Sequence, residues 1–560
     1  MTPKQPSSWK RVSVTLCLLG LLALLVAWPL GGLFWDVVPT KHGEWEALRR
    51  ILVNNDLRES AIRSLLIALT ACALASILAV PLAFAAVRST PLARGTIIAL
   101  GILPLFTPPF VSAMVFGRLS EVLSDLGLSM TQASAGVFDD HLLLILTYAS
   151  HFLPFILFSL LIRLTTIDRS LQETARNLQA SRWKIWRTVT LPQAAPAYAF
   201  GACVALLKML EDVGAPLMLG HNDLLAPQLL SGLHLGSEQG MRLAIAAALV
   251  LFTISALIVL LAWHPLSHAT SSTTTGKQPL RWRRGPAMRL VSVGLILAVG
   301  AVSLGPLAWL VVLSLGGGTS GKLWPTLSAH NFTAALQSAL PSLPPSLTFA
   351  ALTGVMVMLL STLAAVLYRP STRSGRSVRF AVNTLFAVPG LVLALAYWEM
   401  IGQYRESWPG ITLFALISVV VLKQIPLAQH LFNGPLRELR NGGLTSAANL
   451  GSAASARSLG ISIPTLSGAM GGAFAIGLAA ALSELSAVLV LLQDREIPFA
   501  VQVYHTLRTV GQGPIGAALG VFLAGLLAAA LLAVYAQLRR PWRQAHPVNR
   551  QTANALAEMV

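Results

Sequence analysis

Apolar positions in this chain do not recur at the period of a soluble helix or strand. They run together in long uninterrupted blocks separated by short polar stretches. In the first half the blocks lie near residues 12–34, 62–87, 95–117, 141–162, 197–219 and 242–263. In the second half they lie near 287–315, 345–368, 380–401, 411–432, 466–491 and 512–537. Each is long enough to cross about 30 Å of hydrocarbon as an α-helix. Bracketing Arg and Pro residues favour helices over buried strands. The pattern therefore predicts an all-α polytopic membrane protein with about 12 transmembrane helices. The first block follows Lys10-Arg11, exceeds a signal-peptide core in length and lacks a small-x-small cleavage site, so it is read as an uncleaved span.

Composition makes the same case and removes the alternatives. The 560 residues are 55% hydrophobic and 11% charged, against about 25% charged in a typical soluble protein. A soluble globule of this size could not cover its surface. The net charge of +18 raises the question of nucleic acid, but the cations sit in short clusters between apolar blocks, where they orient helices across a bilayer. With the N-terminus inside, the inner segments carry 27 of the 40 Lys and Arg and the outer segments 11. Both termini are therefore expected to be cytoplasmic. Cys17, Cys72 and Cys203 all fall in apolar blocks and read as packing residues.

The stretch 264–286 contains Ser271-Ser-Thr-Thr-Thr-Gly276 and ends in a run of arginines, which reads as a basic cytoplasmic linker. It separates a first half, 1–263, from a second, 287–540, with a tail at 541–560. The halves align without a gap at an offset of 272: Pro154 falls on Pro426, His151 on Lys423, Pro192 on Pro464 and Asp212 on Glu484. Further upstream Pro108-Pro109-Phe110 matches Pro389-Gly390-Leu391 at an offset of 281. An even number of spans separates the copies, so the six-helix repeats are expected to be parallel about an axis along the membrane normal.

The most specific repeated pattern lies in two inner loops. They read Glu173-Thr174-Ala175-(x3)-Gln179-(x9)-Val189-x-Leu191-Pro192 and Thr445-Ser446-Ala447-(x3)-Gly451-(x9)-Ile461-x-Ile463-Pro464. Small residues let a short helix pack closely into a partner's groove, and a Gly allows a sharp turn after it. The pattern resembles the "EAA" loop, Glu-Ala-Ala-x3-Gly-x9-Ile-x-Leu-Pro, of ABC-importer inner-membrane permeases. The closest pattern is the fused two-half type that serves iron(III), thiamine or phosphonate. The first copy departs at the Gly position (Gln179) and the second at the acidic position (Thr445). The resemblance implies that these loops dock into a cytoplasmic ABC ATPase, in two copies, and that a periplasmic solute-binding protein delivers the solute. It also implies an inner-membrane location and ATP held by the partner, with no cofactor in this chain. Similar permeases serve iron(III), thiamine, phosphonates and polyamines, so the solute stays open.

Charges inside apolar blocks are costly and by default functional. Lys208, Glu211 and Asp212 fall in the fifth block, Lys423 in the tenth and Glu484 in the eleventh. Two readings stay open for them. In one, Asp212 and Glu484 face each other across a pathway; in the other, Lys208 neutralises its own neighbours and Glu484 finds hydroxyl or backbone partners. Pro104, Pro108 and Pro109 are expected to kink the third span. The histidines are scattered without metal-ligand spacing, no metal site is expected, and no nucleophile–base pair marks an enzyme. Gly316-Gly-Gly-Thr-Ser-Gly321-Lys322 resembles a phosphate loop but is followed by Leu323 and follows a membrane block, not a strand. The rival from another class is an ion-coupled secondary transporter, in which Lys208, Asp212 and Glu484 would carry the coupling ion.

Overall fold

The computed structural model describes residues 8–35, 55–125, 141–167, 169–262, 286–316, 329–367, 372–404, 407–439, 451, 458–492, 498–509 and 511–544. Thr445, Ser446 and Ala447, most of the linker at 264–286, the tail beyond 544 and the phosphate-loop look-alike from 317 onward lie outside the described residues. Among the described residues every regular element is helical. Ten helices are long and apolar enough to cross a membrane, and two sharply bent helix pairs raise the number to twelve if each pair is one span.

In chain order the first half runs α1 (Ser8–Trp35), α2 (Asn55–Arg88), α3 (Pro91–Ile102), α4 (Pro109–Asp125), α5 (Leu142–Thr166), α6 (Arg169–Asn177), α7 (Leu191–Glu211), α8 (Gly214–Met218), α9 (Leu225–His234) and α10 (Glu238–Leu261). The second half runs α11 (Pro286–Ser314), α12 (Leu343–Leu367), α13 (Arg373–Thr384), α14 (Gly390–Ile401), α15 (Pro409–Gln429), α16 (Ile463–Ser483), α17 (Ser486–Leu491), α18 (Phe499–Arg508) and α19 (Gly513–Gln544).

Two expectations from the apolar blocks need correction. The third and ninth blocks are not single helices. The chain turns by 94° between Pro91–Phe106 and Pro109–Asp125, and by 90° between Arg373–Ala387 and Gly390–Ile401. The local cause is the Thr107-Pro108-Pro109 and Val388-Pro389 steps, because a residue before proline is pushed out of the helical region and proline has no N–H to give. Likewise the fifth and eleventh blocks break. α7 ends at Glu211 and α16 at Ser483, and Asp212 (φ −76, ψ 126) and Glu484 (φ −69, ψ 120) are extended. Both acids therefore sit at helix breaks, where backbone groups are released, and not within continuous spans. Cys17 also departs from its reading as a packing residue, since it is exposed on α1.

Both α7 and α16 are preceded by a π-helical turn, Trp186–Thr190 and Ser458–Ser462. Pro192 and Pro464 explain it. Each removes a donor from the turn before it and clashes with the carbonyl four residues back, which widens that turn. Packing then uses small residues, as expected where lipid is as apolar as a leucine. α2 lies along α5 and carries a buried stripe of Ala68, Ala71, Ala75 and Ala79. α12 lies along α16, where a Cβ on Gly477 would come within 2.9 Å of Gly354 Cα. Large side chains such as Leu66, Leu69 and Ile77 point outward instead.

Candidate translocation site and coupling surface

The breaks bring the buried charges together between the two halves. Glu211, the last residue of α7, receives Lys208 Nζ at 3.2 Å from its own helix. It also receives Lys423 Nζ of α15 at 3.2 Å and the Gly390 N–H that opens α14 at 2.8 Å. Lys423 in turn donates to Glu484 Oε2 at 3.2 Å. Two lysines and two glutamates thus form one chain of ion pairs with no net charge. That arrangement offsets much of the desolvation cost that any one of them would incur alone. The Val213 N–H donates to Ser486 Oγ at 3.3 Å, so backbone and side-chain bonds both cross between the halves at this level.

Asp212 is the odd member. It is not drawn to Lys208 at i−4; its Oδ2 accepts from Tyr148 Oη at 3.2 Å and from the Ala215 N–H at 3.1 Å. Glu484 does the same at its own break, with Oε1 accepting from the Ala487 N–H at 3.1 Å. Each acid, extended and one position before the N-cap of the short helix that follows (Val213 for α8, Leu485 for α17), takes up a first-turn N–H of that helix three residues on. Of the two readings left open by the sequence, the local pairing of Lys208 holds for Glu211 alone, and Glu484 finds a lysine as well as a backbone partner.

Asp212 and Glu484 both line a cavity of about 250 Å³, together with Lys208, Glu211, Lys423 and His151. The sequence alignment pairs His151 with Lys423, and the fold puts both on this wall. Reading the sequence missed Tyr148, Gly390 and the Glu211–Lys423 pair. Only Gly390 left a signal, as the non-proline member of the Pro109/Gly390 match. A Cβ there would overlap the Lys423 side chain, and a proline would take away the N–H that Glu211 uses.

The first repeated loop is anchored at its base and exposed at its tip. Buried Gln172 donates from Nε2 to Thr190 Oγ1 at 2.9 Å, and Arg163 Nε donates to the Gln193 carbonyl at 2.8 Å. The first bond ties α6 to the π turn before α7, and the second ties the end of α5 to the first turn of α7. Glu173 and Ala175 are half-buried on α6 and Thr174 is exposed. α6 closes with a Schellman turn: Ala180 N–H reaches the Ala175 carbonyl at 3.0 Å and Gln179 N–H the Arg176 carbonyl at 2.8 Å. Gln179 stands in the left-handed region at φ 56, as Gly451 does at φ 76 in the second loop. The backbone asks for Gly at both positions, and the first half meets the demand with a side chain that strains against it. Leu178 within the turn is 78% exposed and Trp183 beyond it 65%, and Trp183 stacks on Trp186 with centroids 4.9 Å apart. At the entry to the following helices Leu191 and Ile463 are exposed, and Pro192 and Pro464 occupy the first turn.

Comparison with known proteins agrees with the loop pattern. The family described as binding-protein-dependent transport system inner membrane component matches residues 60–268. A probable molybdenum ABC transporter permease protein of Haloferax volcanii is 29% identical over 46% of this chain and 90% of its own length. The molybdate/tungstate transport system permease protein of Pyrococcus furiosus is 28% identical over 44% of this chain and 92% of its own. A putative ferric transport system permease protein of Haemophilus influenzae is 24% identical over 59% of this chain, and the match spans 54% of that relative.

Proposed function

We propose that this chain, whose residues 60–268 match the binding-protein-dependent transport system inner membrane components, is a multi-pass permease that supplies both transmembrane halves of one ATP-driven importer. In this reading 1–263 and 287–540 are parallel halves joined by a cytoplasmic linker, and both termini are cytoplasmic. Two copies of a separate ATPase dock on the loops at 173–192 and 445–464. A periplasmic binding protein delivers solute at the opposite face.

The observation that carries the reading is the pair of left-handed turns at Gln179 and Gly451, each placed identically before a π turn and a proline-opened helix. A duplicated, conformationally demanding turn with exposed Leu178 and Trp183 beside it suits a docking surface. The anchors from Gln172 and Arg163 to the start of α7 give a rigid route from that surface to the break at Asp212. The ion pairs across Glu211 and Lys423 act as the closed constriction, and ATP-driven closure of the partner parts the halves there.

Relatives are named for molybdate and for ferric iron. The cavity wall carries Glu211, Asp212 and Glu484 against Lys208 and Lys423. That balance favours a cationic solute, of the iron(III), thiamine or polyamine kind, over an oxyanion.

The test is purification from native membranes, wild type against Ala175→Asp, with solute uptake in vesicles as the second readout. The expected result is an ATPase that co-purifies with wild type and is lost in the variant, with uptake dependent on ATP. Folded wild type that brings down no ATPase and takes up solute on an ion gradient would overturn the importer reading in favour of a secondary transporter.

A further inference from the structure

Histidines scattered along the sequence meet at the end of the first half opposite the loop at 173–192. His141 stands at the N-terminus of α5, His221 lies in the turn after α8, and Asp223 lies just before α9. Their ligand atoms all fall within 4.8 Å of one another. His141 Nε2 is 3.3 Å from Asp223 Oδ2 and 3.4 Å from Oδ1. The two imidazoles stack at 4.2 Å between centroids, 26° from parallel. His141 is buried and His221 and Asp223 are half-buried. Arg63 of α2 donates to Asp223 Oδ2 at 2.9 Å, which holds the carboxylate with both of its oxygens within reach of His141.

We propose that His141, His221 and Asp223 form a binding site for one divalent transition-metal ion of the zinc type. The donor chemistry is two imidazole nitrogens and one carboxylate oxygen, the set that such ions prefer over calcium or magnesium. A tetrahedral ion with bonds near 2.1 Å holds its donors roughly 3.4 Å apart, so the cluster has to contract by about an ångström. Rotation of the half-buried His221 ring is the least costly way to do so. Three protein donors leave the fourth position to water or to a donor from outside the membrane. Arg63 supports the carboxylate from behind, as outer groups do at metal sites, and its charge lowers the affinity for a cation. The bound ion would tie the starts of α5 and α9 and the turn after α8 to one point. The corresponding stretch of the second half, 485–498, contains no histidine, so the tie belongs to one half only.

The experiment is a zinc titration of the purified full-length protein against a chromophoric indicator, with cobalt(II) absorption as an independent report of coordination. Wild type is expected to take up one equivalent of zinc and to give the intense visible bands of four-coordinate cobalt. His221→Asn and His141→Ala should each weaken zinc binding at least tenfold and abolish those bands, while wild type and variants show equal helicity and elution volume. If His141→Ala does not fold, His221→Asn, at the half-buried position, decides the matter alone. Wild type that binds no more zinc than a His141→Ala/His221→Asn double variant, or than His221→Asn alone, would overturn the proposal.

Discussion

The breaks at Asp212 and Glu484 share one backbone and differ in their electrostatics. At both, a helix of 21 residues opened by a proline ends at an extended acid, whose carboxylate takes up a first-turn N–H of the short helix that follows. The surroundings then diverge. Asp212 receives a neutral phenol from Tyr148, whereas Glu484 receives the ammonium of Lys423. One residue earlier the first half carries Glu211 and the second carries Ser483, so the extra acid of one half reaches across to the lysine of the other. The backbone device is the same at both breaks, and each half gives one lysine and one glutamate to the tetrad, with Lys423 pairing with an acid from each half. The buried charge cluster is thus held by complementarity between the halves rather than by symmetry.

Lys423→Met should have the largest effect. It strands Glu211 and Glu484 near each other without their shared cation, and loss of one member of a buried ion pair costs about 3–5 kcal/mol. A large fall in the thermal midpoint in detergent is expected; an unchanged midpoint would mean the tetrad is not held by Lys423. Next in size is Gly390→Ala, whose Cβ overlaps Lys423 and should cost about 1–3 kcal/mol as an overpacked site. In a Lys423→Ala background the same change should cost less, because the side chain that the Cβ meets is gone. Additive effects in that cycle would remove the steric link.

Tyr148→Phe tests the first-half side. Asp212 keeps the Ala215 N–H and loses the phenol, an expected loss of about 1 kcal/mol for a buried hydrogen bond. Melting of this variant should shift less than that of Lys423→Met; a larger shift would show that the neutral break, not the charged one, holds this level of the bundle together. The smallest effect compares the two loops. Gln179→Gly should relieve roughly 1 kcal/mol of left-handed strain and slow hydrogen exchange at the Ala180 amide, which bonds to Ala175. Gly451→Ala should do the opposite to its own turn. Equal exchange in wild type and Gln179→Gly would show that the first turn tolerates Gln without cost.

Much of this was legible because bilayer insertion depends on summed hydropathy over a whole span, a property of sequence alone. The spans, the offset that pairs the halves, the prolines opening α7 and α16 and every charged member of the tetrad are present in the string of residues. The Gly position of the loop was also readable, and its substitution by Gln179 gained a physical meaning only when both positions proved left-handed. The breaks were hidden, since a single extended residue with apolar flanks hardly changes a hydropathy average over some twenty residues.

Local composition and spacing are enough to set the membrane-crossing segments and to reveal the repeated loop pattern. Which charges meet depends on the packing of the helices. Lys208 had two acids within reach on its own helix, and the fold gave it one of them, turning Asp212 to Tyr148 and joining Glu211 to Lys423 far along the chain. The same holds for His141, His221 and Asp223, which come together only when α5, α8 and α9 pack. Pairing of buried polar groups depends on which helix faces which, and that is settled by packing of small residues at distances no local pattern encodes.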